Sequence, residues 1–97
     1  MYNNSVITRV HLSRQAQKDL VSVPRHIAIK LGAWVADVAV RGVYEVRKVP
    51  GYHDEPLKGT RAGQRSIRLS RAYRAIYIIG NDGVEFVSVE EVNKHDY

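Results

Sequence analysis

Ninety-seven residues suffice for one domain, residues 1–97, with a modest core and no room for a second. The absence of cysteine excludes disulfides and thiolate metal sites, and the four scattered histidines (His11, His26, His53, His95) show no zinc-type spacing. Fifteen basic against ten acidic residues give a net charge of +5, ten of the fifteen being arginine. No apolar run approaches the ~20 residues of a membrane span, and Met1-Tyr2-Asn3-Asn4 lacks the basic and apolar regions of a secretory signal. A cytoplasmic protein with no metal, no small-molecule cofactor and no membrane partner is the expectation.

Ser5 to His11 (SVITRVH) is rich in β-branched residues and predicts an opening strand. Ser13 is a good N-cap for a short helix over Arg14 to Leu20, although Ala16 stands where a capping-box Glu or Gln would reach back. Pro24 suits the first turn of a second helix, in which Ile27, Leu31, Trp34, Val35 and Val38 form one apolar stripe. Trp34 on that stripe is read as core rather than as a base-stacking platform. Gly42 ends or kinks the helix, and Val43 to Val49 is ambiguous, with a further helical turn possible. Pro50-Gly51 and Pro56 mark a loop from Gly51 to Gly63. Gln64 to Leu69, Ala72 to Ile79 and Val84 to Val92 are strand candidates, the last two joined by the hairpin signal Asn81-Asp82-Gly83. The order predicts an α+β fold: an N-terminal strand and two or three helices on one face of a small antiparallel meander, with the other face free.

The charge is concentrated. Lys58, Arg61, Arg65, Arg68, Arg71 and Arg74 lie between Leu57 and Tyr77 with no acidic residue among them, the footprint of a polyanion partner. A solvated strand face, or a patch covered by an acidic protein, is the alternative. Side chains alternate along a strand, so Ile67 and Leu69 should face the helices while Ser66 and Arg68 face away. Arg68 and Arg74, on adjacent strands, suit one phosphate held from two sides. The chain then ends on Lys94-His95-Asp96-Tyr97, an ammonium, an imidazole, a carboxylate and a phenol in succession. These could be an ordinary frayed terminus, or could move protons at the 2′-hydroxyl or leaving 5′-oxygen of RNA.

Pro56-Leu57-Lys58-Gly59, then RSIRLSRAYRAIY from Arg65 to Tyr77, then a hairpin strand ending in His95-Asp96-Tyr97, resembles the RelE/ParE toxin superfamily over essentially the whole chain. Within it the chain is most similar to the mRNA-cutting branch of RelE, HigB and YafQ. The resemblance implies the RelE-like microbial RNase fold and a metal-independent endoribonuclease. Such an enzyme acts on mRNA at the ribosome, leaves a 2′,3′-cyclic phosphate, and is restrained by a cognate antitoxin. Arg74 falls at the family's phosphate-binding position, and Asp96-Tyr97 matches an Asp-Tyr pair of HigB-like members. His95, Asp96, Tyr97, Arg74 and Arg68 are thus the catalytic candidates, and Lys58, Arg61, Arg65, Arg71 and Lys94 the RNA-binding ones. The histidine that YafQ-like toxins carry in Asp-His-Pro-Leu is Glu55 here, and a second histidine on the first meander strand is replaced by Arg68. Proton transfer then rests on His95, Glu55, Lys58 or Tyr97, and His53 lies in the same loop, as a further candidate acid or base or as a solvated side chain. A ParE-like inhibitor of DNA gyrase and a catalytically inactive nucleic-acid-binding relative are the competing readings.

Overall fold

The structure, a computed structural model, describes residues 6–94. The chain begins with a short strand, β1 (Val10–Leu12), and helices α1 (Arg14–Ser22), α2 (Arg25–Arg41) and α3 (Val43–Val46). A loop carries a 3₁₀ turn (Pro50–Tyr52), a two-residue strand β2 (Glu55–Pro56) and a second 3₁₀ turn (Gly59–Arg61). Strands β3 (Arg65–Arg68), β4 (Tyr73–Asn81) and β5 (Glu85–Lys94) complete a sheet of order β1-β5-β4-β3-β2. The expected α+β architecture and the β3-β4-β5 meander are present. Two features go beyond expectation. β1 runs parallel to β5, through Val10↔Val87 and Leu12↔Val89, so the sheet is mixed. The Pro-containing loop also contributes β2 as an edge strand, where proline is tolerated because its missing N–H faces no neighbour.

The helices form where the sequence places caps and apolar spacing. Ser13 caps α1, its Oγ accepting from the Ala16 N–H at 2.9 Å, and the same hydroxyl donates to the Glu90 carbonyl at 2.6 Å. Further along α1, Asp19 Oδ2 accepts the Val92 N–H at 2.9 Å, so α1 is tied to β5 at two points. Between them Glu90 is the extra residue of a β-bulge, since Ile76 pairs with Glu91 and Tyr77 with Val89. Gly42 ends α2 with a φ of +84°, and a Cβ there would meet the Val6 side chain at 3.0 Å. Only glycine takes this left-handed exit without strain.

Ile27, Leu31, Trp34 and Val38 of α2 are buried, as their spacing predicts, while Val35 is only partly covered at the margin. They meet Ile67, Leu69, Ala75, Tyr77, Val87 and Val89 from the sheet, with the Trp34 and Tyr77 rings 5.2 Å apart and tilted by 46°. Ile76 is also fully buried, yet its register between Ser66 and Glu91 sets it on the face away from the helices. Arg61 reaches across that face to Glu91 at 2.6 Å.

One carboxylate fixes the loop against this core. The side chain of Asp54 is 1 % exposed, and its two oxygens accept from Arg65 Nε at 2.7 Å and from the Tyr77 hydroxyl at 2.6 Å. Arg47 Nε in turn donates to the Tyr77 oxygen at 3.0 Å. Two residues earlier the Tyr52 hydroxyl donates to Asp37 Oδ2 of α2 at 2.7 Å. The loop is therefore held from inside at residues 52 and 54.

Removing one member of a buried charged pair leaves the other uncompensated, which costs about 3–5 kcal/mol. Asp54→Ala should therefore lower the unfolding free energy in urea by about that amount, and Asp54→Asn by less, because the amide still accepts one hydrogen bond. The two anchoring phenols also set an alkaline limit. Burial, reinforced by donation to Asp37, pushes the Tyr52 hydroxyl up to about 12. Burial, reinforced by donation to Asp54, raises Tyr77 well above the ordinary tyrosine value. Both groups bind their proton more tightly when folded, so this stability is complete below about pH 10, where an unfolded tyrosine ionises. It is lost as pH climbs from about 10 toward 12. Denaturation midpoints should fall across that window, and Tyr52→Phe should flatten the fall; an unchanged slope would assign it to other groups.

Candidate nucleic-acid cleft

β3 and β4 are antiparallel with Arg68 directly opposite Arg74 and Ser66 opposite Ile76. Alternation from buried Ile67 and Ala75 sends both arginines to the uncovered face. The corner joining the strands is closed by Ser70, whose Oγ accepts the N–H groups of Ala72 at 3.1 Å and Tyr73 at 3.2 Å. Beside this corner lies a cavity of about 190 Å³. His53 and Glu55 line it from the loop, Arg68 and Arg74 from the paired strands, and Arg71 and Tyr73 from the corner.

Like charges directly opposite on a sheet destabilise it. Among the described residues no carboxylate lies within ion-pair distance of Arg68, Arg71 or Arg74. Arg74 Nε is moreover buried and finds no acceptor among those residues. A buried donor without a partner costs about 1–3 kcal/mol, which an anionic oxygen in the cavity would relieve. A larger hollow of about 320 Å³ at the opposite end of the sheet is lined by Val6, Ile7, Asn81 and Val84 among others and holds no cation.

The remaining sequence-predicted residues divide by environment. Arg61 and Arg65, both expected on RNA, have partners within the protein. Arg61 bridges to Glu91 and also donates to Gln64 Oε1 at 2.8 Å, while Arg65 points to the helix side and holds Asp54. In sequence their stretch contains no acid, but folding brings Asp54 and Glu91 to it. Lys58 is exposed at the start of the second 3₁₀ turn and does not line the cavity. Lys94 is exposed and pairs with Tyr73, one residue from Arg74. His95, Asp96 and Tyr97 lie outside the described residues.

His53 and Glu55 stand at the cleft with His53 Nε2 3.7 Å from Glu55 Oε2, both side chains more than half exposed. His53 is the one non-glycine residue among those described with a positive φ, +48°. Left-handed backbone costs an L-residue about 1–2 kcal/mol, although histidine is among the types found there more often. Its N–H bonds the Pro50 carbonyl at 3.0 Å, closing the 3₁₀ turn. Sequence reasoning missed Asp54, Tyr77 and Arg47 as the scaffold of this loop. The available signal was alternation: Arg65 and Tyr77 share a strand face with Ile67 and Ala75, and polar groups there require a buried acceptor.

Comparison with known proteins follows the same lines. A family model described as the ParE toxin of the type II toxin–antitoxin system parDE matches residues 10–94. The fold is similar to that of the YoeB/ParE toxin from Agrobacterium tumefaciens, at 18% identity over 91% of this chain and 99% of that one, with a TM-score of 0.64. It is similar to a chain of the toxin–antitoxin complex RelBE2 from Mycobacterium tuberculosis, at 22% identity over 97% and 98% of the two chains, TM-score 0.67. It is also similar to a chain of the E. coli DinJ–YafQ toxin–antitoxin complex, at 21% identity over 92% and 94%, TM-score 0.69. A search of curated proteins gives no match. The family match, spanning both the helices and the arginine-bearing strands, shows that the chain belongs to the ParE toxin family of type II toxin–antitoxin systems, within the RelE/ParE superfamily.

Proposed function

We propose that this toxin is an endoribonuclease that cuts mRNA on translating ribosomes by attack of a 2′-hydroxyl on the adjacent phosphate. The observation that carries the reading is the facing pair Arg68 and Arg74 beside an open cavity, with no carboxylate partner among the described residues. Attack on a phosphodiester gathers negative charge on the non-bridging oxygens, and two guanidinium groups on adjacent strands would stabilise that charge without a metal ion. Arg71 and Lys94, exposed near the same end of the sheet, would take neighbouring phosphates, with Lys58 farther out. The leaving 5′-oxygen needs a proton, and His95, Asp96 and Tyr97, which follow directly on Lys94, are proposed to supply it. The substrate implies a cytoplasmic site of action, and no helix among the described residues is long and apolar enough to cross a membrane.

A cognate antitoxin is the second proposed partner. The RelBE2 and DinJ–YafQ structures are toxin–antitoxin complexes, and a net charge of +5 favours an acidic segment that orders on contact. A second reading, inhibition of DNA gyrase by binding, is favoured by the ParE description of the matching family.

Purified toxin added to translating ribosomes should cleave mRNA and leave 2′,3′-cyclic phosphate ends. Arg68→Ala and Arg74→Ala should each slow cleavage about 10²–10³-fold, the usual effect of deleting one oxyanion-stabilising donor. Deleting residues 95–97 should slow cleavage by a similar factor while leaving the affinity for uncleavable RNA largely intact. Intact mRNA together with blocked gyrase supercoiling would support the second reading instead.

A further inference from the structure

We propose that His53 is the general base of this cleavage and that Glu55 is its positioning residue, an assignment that rests on the endoribonuclease reading above. The anchoring of the loop carries it. Tyr52 is tied to Asp37 at 2.7 Å, and Asp54 is tied to Arg65 at 2.7 Å and to Tyr77 at 2.6 Å. The residue between these anchors is exposed and takes the left-handed conformation, with its side chain on the cavity that Arg68 and Arg74 line. Glu55, two residues on, pairs with Ser66 at the start of the strand that carries Arg68, and His53 lines the same cavity as Arg68 and Arg74, where the phosphate is proposed to sit.

With His53 Nε2 turned toward the Glu55 carboxylate at 3.7 Å, Nδ1 is the ring nitrogen left to take a proton. It accepts the proton of the 2′-hydroxyl as the 2′-oxygen bonds to phosphorus. The phosphorus–5′-oxygen bond breaks, and its electron pair stays on the 5′-oxygen, which takes a proton from the acid proposed in the tail. The imidazolium then returns its proton through solvent. The charged groups facing the imidazole are Glu55 from its own segment, Arg68 from β3, Arg71 with the Tyr73 phenol from the corner, and Arg74 from β4.

The experiment is the pH–rate profile of mRNA cleavage on translating ribosomes for the wild type, His53→Asn and Glu55→Gln. Asparagine tolerates left-handed backbone, so His53→Asn removes the imidazole while keeping the turn. His53→Asn should reduce cleavage by about 10²–10⁴-fold and abolish the acidic limb, with binding of a 2′-O-methyl RNA retained. Glu55→Gln should lower kcat without raising KM and keep the acidic limb, because the imidazole is still present but has lost the carboxylate that orients it. Wild-type rate and profile in His53→Asn, beside an active wild type, would overturn the assignment and leave the endoribonuclease reading standing. A wild type that cuts no RNA would overturn both.

Discussion

The buried carboxylate of Asp54 is the interaction on which the working end of this molecule depends. An ionised group taken from water is tolerable only where its oxygens are saturated by donors, and here Arg65 and the Tyr77 hydroxyl do so. The consequence is mechanical as well as energetic. Tyr77 belongs to β4 and lies against Trp34 of α2, and its oxygen also takes the Arg47 guanidinium beyond α3. One carboxylate thus joins the Gly51–Gly63 loop to the sheet and, through Trp34 and Arg47, to α2 and the end of α3. With Tyr52 held on Asp37 and Glu55 paired to Ser66, this anchor fixes the cavity-facing residues of the loop relative to β3 and β4.

The arginines divide into those the fold consumes and those it leaves unbalanced. Arg65 satisfies Asp54 on the helix side, and Arg61 spans the open face to Glu91. Arg68 and Arg74 face each other across adjacent strands with no acid among the described residues to separate them, and one of the two carries a buried Nε with no acceptor among those residues. Such an arrangement works against stability locally. Sites where charge is left uncompensated in this way are the ones expected to be completed by a ligand.

Much of the fold was legible from local chemistry. Ser13, Pro24, Gly42 and Asn81-Asp82-Gly83 act at chain reversals or helix ends whose geometry only a few residue types satisfy, and the apolar stripe of α2 has a single period. The parallel pairing of β1 with β5 was not legible, because nothing in three residues of β1 specifies a partner far along the chain. Nor was β2, since two residues containing a proline carry no strand signal. The cleft was half legible. Alternation along β3 and β4 gave the outward Arg68 and Arg74, but the same alternation puts Arg65 inside, and a count of charges in sequence cannot show that Asp54 and Glu91 meet their arginines in space. His53 was legible as a loop histidine, a candidate acid or base or else a solvated side chain. Its importance comes from anchors at Tyr52 and Asp54 whose partners, Asp37 and Tyr77, are distant in sequence.

On the proposed function, the uncovered face at Arg68 and Arg74 holds the scissile phosphate of an RNA. The decisive measurement is a crystal structure of the toxin with a short RNA blocked by a 2′-O-methyl group at the cleaved nucleotide. A phosphate should lie between the two guanidinium groups, with the blocked 2′-oxygen turned toward His53. An RNA seated elsewhere on the molecule, with Arg68 and Arg74 facing solvent, would contradict it.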